Sequence, residues 1–219
     1  MPLIDMEDWS DVEVTMEEDV ASFTVPMLRE ELEAYGQSWT ATERKATLVE
    51  RLKQSILAER DARVSREARR LVQHALGVLS MSTWVAGLLQ ASAATKAKVS
   101  ESQFRTAHTG GTVHAGLMLG MAGALHHLVL TDAERTSLVT WTAIMGWCNS
   151  GGYLVGALVG ARGLTPWGGR HLRGGLANAG PFASFVVAMV ALLRVTQLAW
   201  RGAARDKIED DQEAVVRAT

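Results

Sequence analysis

The sequence predicts an all-α protein, a four-transmembrane-helix bundle preceded by a small soluble N-terminal helical module of helix-extension-helix form. Three observations carry this. Charge is crowded into residues 1–70, whereas from Leu71 to Trp200 the chain is mainly Ala, Gly, Val, Leu, Met and Trp. That second region divides into four apolar stretches, each near the roughly 20 residues of helix that a bilayer core about 30 Å thick requires. The overall values, 47% hydrophobic with a mean hydropathy of +0.05, resemble an ordinary soluble domain only because they average two unlike parts.

Taken in order, residues 1–20 read as an acidic, solvated tail, with Asp5, Glu7, Asp8, Asp11, Glu13, Glu17, Glu18 and Asp19 unopposed by any basic side chain. Residues 21–58 carry two helical patterns on either side of a polar connector around Gly36. Leu28, Leu32 and Tyr35 make one apolar face, and Leu48, Leu52 and Ile56 the other. Residues 59–70 form a basic linker through Arg60, Arg63, Arg66, Arg69 and Arg70. The spans follow as Leu71–Ala94, Thr106–Leu130, Ser137–Gly160 and Gly174–Trp200 within a membrane unit over 71–202, and residues 203–219 are a charged tail. Small residues inside the spans and Trp near several ends suit helix packing in lipid and interfacial anchoring. The acidic N-terminus has no apolar h-region, so no cleavable signal is expected. The basic run before the first span puts both termini on the cytoplasmic side, although Arg162, Arg170 and Arg173 in the third connection count the other way.

Ionisable and polar side chains at membrane depth are expensive, and each is a functional candidate by default. Here they are His74 in the first span, His108 and His114 in the second, Asn149 and Tyr153 in the third, and Asn178 and Ser184 in the fourth. His126 and His127, near the end of the second span, are explained by an interfacial position. His108 and His114 admit two readings: neutral imidazoles joining helices by hydrogen bonds, or metal ligands. Six residues of helix turn through about 600°, so the two rings diverge by about 120° and do not chelate one ion together. An apolar helical bundle suits a flat apolar macrocycle, so that one of the two histidines can ligate a haem while the other faces a different helix or a neighbouring subunit. Cys148 reads as a small buried thiol. A Rossmann glycine fingerprint, a P-loop and paired cysteines are all missing, which removes nicotinamide, nucleotide and zinc readings.

Two resemblances follow from particular residues. Val25, Leu28, Glu31, Leu32, Gly36, Lys45 and the run Leu48 to Leu52 resemble the SAP module, a small DNA-binding helical hairpin. The many carboxylates around it argue against phosphate binding, so nucleic acid stands as a secondary partner beside a simple interaction or folding role. The stretch Ala107, His108, Thr109, Gly110, then GWCNSGGY from Gly146 to Tyr153, then RGLT from Arg162 to Thr165, resembles the styrene oxide isomerase family over Leu71 to Gly202. His74 sits where that family also has a histidine.

The resemblance implies a ferric haem b with His108 as axial ligand of the iron, Tyr153 and Asn149 facing the substrate, and a homotrimer with haem between subunits. It places His114 where the family has an active-site asparagine, a departure that bears on substrate identity. Arg105 and Arg162 are candidates to pair with haem propionates, with headgroup snorkelling the equal alternative. The implied reaction is ring opening of an apolar aryl or alkenyl epoxide by a Lewis acid and a 1,2-hydride shift to an aldehyde. Two other functions remain beside it. One is a membrane haem protein in electron transfer or haem handling, which would need His74 opposite His108 or His114, and the other is a scaffold tethering the N-terminal module to the bilayer.

Overall fold

The computed structural model describes residues 20–95, 101–159 and 172–218, and no strand occurs among them. Helix α1 spans Val25–Ala34, with a proline in its first turn where the missing N–H costs nothing. It stops at Gly36, whose φ of 68° is the left-handed conformation that glycine adopts freely. The Gln37 N–H bonds the Leu32 carbonyl at 2.8 Å and the Gly36 N–H bonds the Glu33 carbonyl at 2.9 Å, the paired bonds of a Schellman ending. The extended connector then folds back over α1. Arg29 stacks its guanidinium 4.3 Å from the Trp39 ring centroid, and Trp39 Nε1 donates to Glu33 Oε1 at 2.9 Å.

Helix α2, Lys45–Ser80, brings Leu48, Leu52 and Ile56 against Val20, Leu28 and Leu32, so the two apolar faces read from the sequence meet in one small core. Helix α2 does not end with that module. It runs unbroken through residues 59–70, so the stretch expected as a linker is helix. No Gly or Pro interrupts Lys45 to Leu76, and Glu59–Arg63 and Glu67–Arg70 pair along its surface. The backbone winds as a π-helix over Met81–Ala86 and continues as α3, Gly87–Thr95. Helix α4 follows over Glu101–Ala124, ending in a 3-10 turn at Leu125–His127, then α5 over Asp132–Val159 and α6 over Leu172–Ala218.

These helices pack into one bundle, α4 between the α2–π–α3 rod and α5, with α6 along α5. The main core joins Leu71, Ala75 and Val78 to Ala115 and Met118, to Leu138 and Ala143, and to Val195 and Leu198. Among the described residues four long helical rods overlap the four expected stretches, although α4 ends at Ala124 where the expected stretch ran to Leu130, and two of the rods are long and apolar enough to cross a membrane, within Lys45–Ala91 and Ala179–Arg205. Their apolar windows are only 28% and 22% buried, the reverse of a soluble core helix, so their hydrophobic faces look outward. In α4 and α5 the Thr, Ser, Gly, His and Asn positions dilute the hydropathy below that mark. Helix α6 continues through the expected charged tail to Ala218, and Pro181 lies within it.

One end of the bundle is tied by charge. Thr131 and Glu134 form a capping box at the start of α5, the Glu134 N–H bonding Thr131 Oγ1 at 3.1 Å and the Thr131 N–H bonding Glu134 Oε2 at 3.2 Å. Asp132 accepts from Arg63 of α2 at 2.6 Å and from the buried Arg135 at 2.5 Å, while Arg205 of α6 reaches Glu134 at 2.6 Å. The N-terminal module joins here, since burial and the charges of Glu59 and Glu31 push the Tyr35 phenol up to about 12 against the opposing effect of Arg63. Because Arg63 and Arg205 sit at the same end, the module and the end of α6 lie on one side of the bundle.

Burial alone would raise the Glu134 carboxyl, but the hydrogen bonds from Arg205 and Thr131 outweigh it and hold the group below its ordinary 4.5. A lowered folded pKa stabilises above the unfolded value and is lost as pH falls through the folded one. Glu134→Gln keeps the capping geometry and removes only the charge. We expect it to cost about 1 kcal/mol at neutral pH, with the difference from wild type closing below pH 4.5. Thermal midpoints in detergent across pH check this, and a pH-independent difference would refute it.

Candidate functional site

At the opposite end, α4 approaches its neighbours closely because two successive residues lack side chains. A Cβ on Gly110 would stand 2.9 Å from the Tyr153 ring, and one on Gly111 would run into the Ser82 side chain and reach within 3.5 Å of Ser150 Oγ. Thus Gly110 seats the tyrosine of α5, and Gly111 lets the π turn and α5 meet over α4. Ser184 of α6 joins from the far side, its hydroxyl donating to the Cys148 carbonyl at 2.5 Å.

His108 lies half-buried on the flank of α4 that faces the π turn, with Nδ1 2.9 Å from the Ser82 carbonyl oxygen. A carbonyl only accepts, so Nδ1 carries the proton and Nε2 keeps its lone pair free. His114 is half-buried one turn along from Gly110, on the α5 side, and its Nδ1 is buried without a hydrogen-bond partner within the chain. Ser150 Oγ, on the facing helix, is likewise buried and unpartnered. Asn149 and Tyr153 are both half-buried and lie four apart on α5, which puts them on one face. Arg105 is exposed, three residues before His108 on the same side of α4. Phe104, Ala157, Leu89 and Leu154 form a separate apolar cluster around this end.

His74 is elsewhere. Trp147 Nε1 donates to its Nδ1 at 3.3 Å, which leaves the proton on Nε2 and gives His74 a donor's role. Since Ser82 is level with His108 and His74 lies eight residues back along α2, the two histidines differ in depth by about 12 Å. Arg162 and the side chain of Asn178 lie outside the described residues. Three participants escaped the sequence reading or were only half read. Ser150 sits inside GWCNSGGY and was detectable as a small polar residue in an apolar run. Ser184 was visible as polar, but not as the tie to α5. The Ser82 carbonyl had no sequence signal at all, since a backbone acceptor is the same for every residue type.

No group of three or more His, Cys, Asp or Glu side chains that would hold a bare metal ion occurs among the described residues. A metal already held in a macrocycle needs only one protein ligand, and His108 with Nδ1 anchored and Nε2 open has the chemistry of that ligand. A family model described as styrene oxide isomerase matches residues 67–204, a range that holds all of these side chains and leaves out the N-terminal module. No curated protein and no solved structure matches the chain.

The two glycine types give a direct check on the packing. Gly111→Ala should cost about 1–3 kcal/mol, because the Ser82 side chain and the helix behind it must move. Gly116→Ala, where the added methyl meets nothing within 4 Å, should instead stabilise by up to about 1 kcal/mol through helix propensity. Thermal midpoints in detergent distinguish the pair, and equal shifts would refute the close approach.

Proposed function

The chain belongs to the styrene oxide isomerase family, and on that premise we propose that it is an integral-membrane, haem-dependent isomerase converting an apolar aryl or alkenyl epoxide to an aldehyde. When bound, ferric haem b supplies a Lewis-acidic iron for the epoxide oxygen. The observation that carries the reading is the His108 anchor, Nδ1 held at 2.9 Å by the Ser82 carbonyl with Nε2 left to ligate. Arg105, three residues away on the same side of α4, is placed to meet a propionate, and Arg162 is its proposed counterpart.

The rest is done by the chain's own residues. Opening the carbon–oxygen bond leaves positive charge on the carbon that bears the aryl or alkenyl group, which spreads it, and a 1,2-hydride shift then gives the carbonyl product without any added atom. Water would divert that cation to a diol, so the cluster of Phe104, Leu89, Leu154 and Ala157 serves to keep this end dry. Tyr153, its ring fixed against Gly110, donates its phenolic proton toward the oxygen as charge develops there. Asn149, one turn away, and His114, with a buried and unsatisfied nitrogen, add hydrogen-bonding capacity on the same flank.

That flank bears on assembly. Gly110 and His108 are two residues apart, about 200° around α4, so Tyr153 and His108 of one chain face nearly opposite ways. A flat ligand touching both therefore takes them from different copies, which supports a homotrimer with haem between subunits. The outward apolar side chains beside the π turn, Trp84 at 68% and Leu88 at 64% exposure, suit such a contact or lipid. Four antiparallel rods in the bilayer with both termini on the cytoplasmic side agree with the module and the end of α6 sharing one end. The difference in depth of about 12 Å between His74 and His108 weighs against those two as the level ligands of a two-histidine electron carrier, whereas His114, about 9 Å further along α4, comes within about 3 Å of the His74 level.

The test is direct. Detergent-purified protein should show a ferric haem spectrum and convert an aryl epoxide to aldehyde, and His108→Ala should lose or strongly shift the Soret band. Tyr153→Phe should keep the spectrum and lower kcat by about a hundredfold. A colourless wild-type protein, or a His108→Ala spectrum identical to wild type, would refute the assignment.

A further inference from the structure

Inside a continuous helical rod, residues Met81–Ala86 wind as a π-helix before α3 resumes at Gly87. Such a turn is rare inside an α-helix and is frequently found at functional sites. Its second residue is Ser82. The Ser82 hydroxyl donates back to the Leu79 carbonyl at 3.1 Å, its side chain packs beneath Gly111, and its carbonyl meets His108 Nδ1 at 2.9 Å. A Cβ on Gly87, where the turn ends, would stand 3.9 Å from the same Nδ1. Both ends of the π turn therefore border one imidazole.

We propose that the π turn is a positioning device for His108, delivering the Ser82 carbonyl to the Nδ1–H and thereby fixing the tautomer and ring orientation of that histidine. The proposal rests on the reading of His108 as the haem ligand. The kind of acceptor matters chemically. A carboxylate partner draws the Nδ1 proton away and makes the imidazole a strongly donating ligand, whereas a peptide carbonyl leaves the proton on the ring. A weakly donating ligand leaves the iron electrophilic, as a Lewis-acid reaction without electron transfer requires. Carboxylates are scarce along this part of the chain. Between Leu71 and Arg205 the only acidic residues are Glu101, Asp132 and Glu134, and the last two belong to the ion pairs at the other end of the bundle. Ser82 is thus a positioning residue through its backbone, and no substitution of its side chain removes the acceptor.

The experiment removes the ring instead. Haem-loaded His108→Gly in detergent is titrated with imidazole, 4-methylimidazole and 1-methylimidazole, following the Soret band. The first two can present an N–H to the Ser82 carbonyl, and the third cannot. We expect imidazole and 4-methylimidazole to bind about fivefold to tenfold more tightly than 1-methylimidazole, the worth of one hydrogen bond. Equal affinity for all three, or equal weakness of both methylated ligands, overturns the positioning role while leaving His108 as ligand. A His108→Gly spectrum that matches wild type before any addition overturns the ligand reading itself. Should the variant not accumulate, resonance Raman of the reduced wild-type protein decides. An iron–histidine stretch at the low frequency of a carbonyl-bonded neutral imidazole supports the proposal, and the high frequency of imidazolate character sinks it.

Discussion

At Gly110 and Gly111 the backbone of α4 comes within side-chain-free distance of two neighbours at once, and the site is built on that approach. On one flank the Tyr153 ring occupies the room a Cβ would take, and on the other Ser82 does. Only after the π turn has been brought this close can its carbonyl reach His108 at 2.9 Å. Either glycine replaced by a larger residue moves a whole helix, because protein interiors have no slack of that size. Placement of the tyrosine and of the histidine are therefore consequences of one local geometry.

Distribution of charge makes the second constraint. Carboxylates and guanidinium groups meet where α2, α5 and α6 enter the bundle, with Asp132 shared by Arg63 and the buried Arg135. Burial lowers the Arg135 guanidinium from its usual value while Asp132 opposes that effect, and its side chain is only 2% exposed. Such a pair contributes little net stability against a hydrophobic alternative, but losing one partner strands the other. Its use here is to fix the register of three helices at one end. The opposite end is then free to carry what stability alone would not select: two adjacent glycines and a π turn. The module's second helix is the same rod as α2, so the position of the N-terminal core is transmitted stiffly as far as Ser80.

Much of this was legible in the amino-acid order. The faces Leu28, Leu32, Tyr35 and Leu48, Leu52, Ile56 follow helical spacing, and burial is what such spacing encodes. Polar residues in an apolar run mark His108, Asn149 and Tyr153 as costly to bury, and all three are half-buried in the structure. What escaped has physical causes. Basic composition over residues 59–70 suggested a linker, yet Arg and Glu are good helix formers and pair along the surface. Hydropathy treated α4 and α5 as equals of the outer helices, although their small and polar residues serve packing and the site. A π turn arises from how a helix is forced to meet its neighbours, and MSTWVA carries no composition that announces it.

His114 joins these threads. It stands one turn from Gly110 on the α5 flank, and Ser150 lies across from it, three residues before Tyr153. Each contributes a buried polar atom with no partner within the chain, and leaving such an atom unsatisfied costs about 1–3 kcal/mol. Both lie where α4 and α5 face each other, beside a tyrosine seated against a glycine, and each keeps hydrogen-bonding capacity that the chain itself does not use. An imidazole here presents either an N–H or a lone pair, according to its tautomer. An asparagine at the same place offers its amide N–H₂ without any such choice. The histidine is also the larger of the two side chains. The residue at position 114 therefore sets which hydrogen-bonding groups this flank offers, while the contact of His108 with the Ser82 carbonyl, on the other flank of α4, is untouched by it.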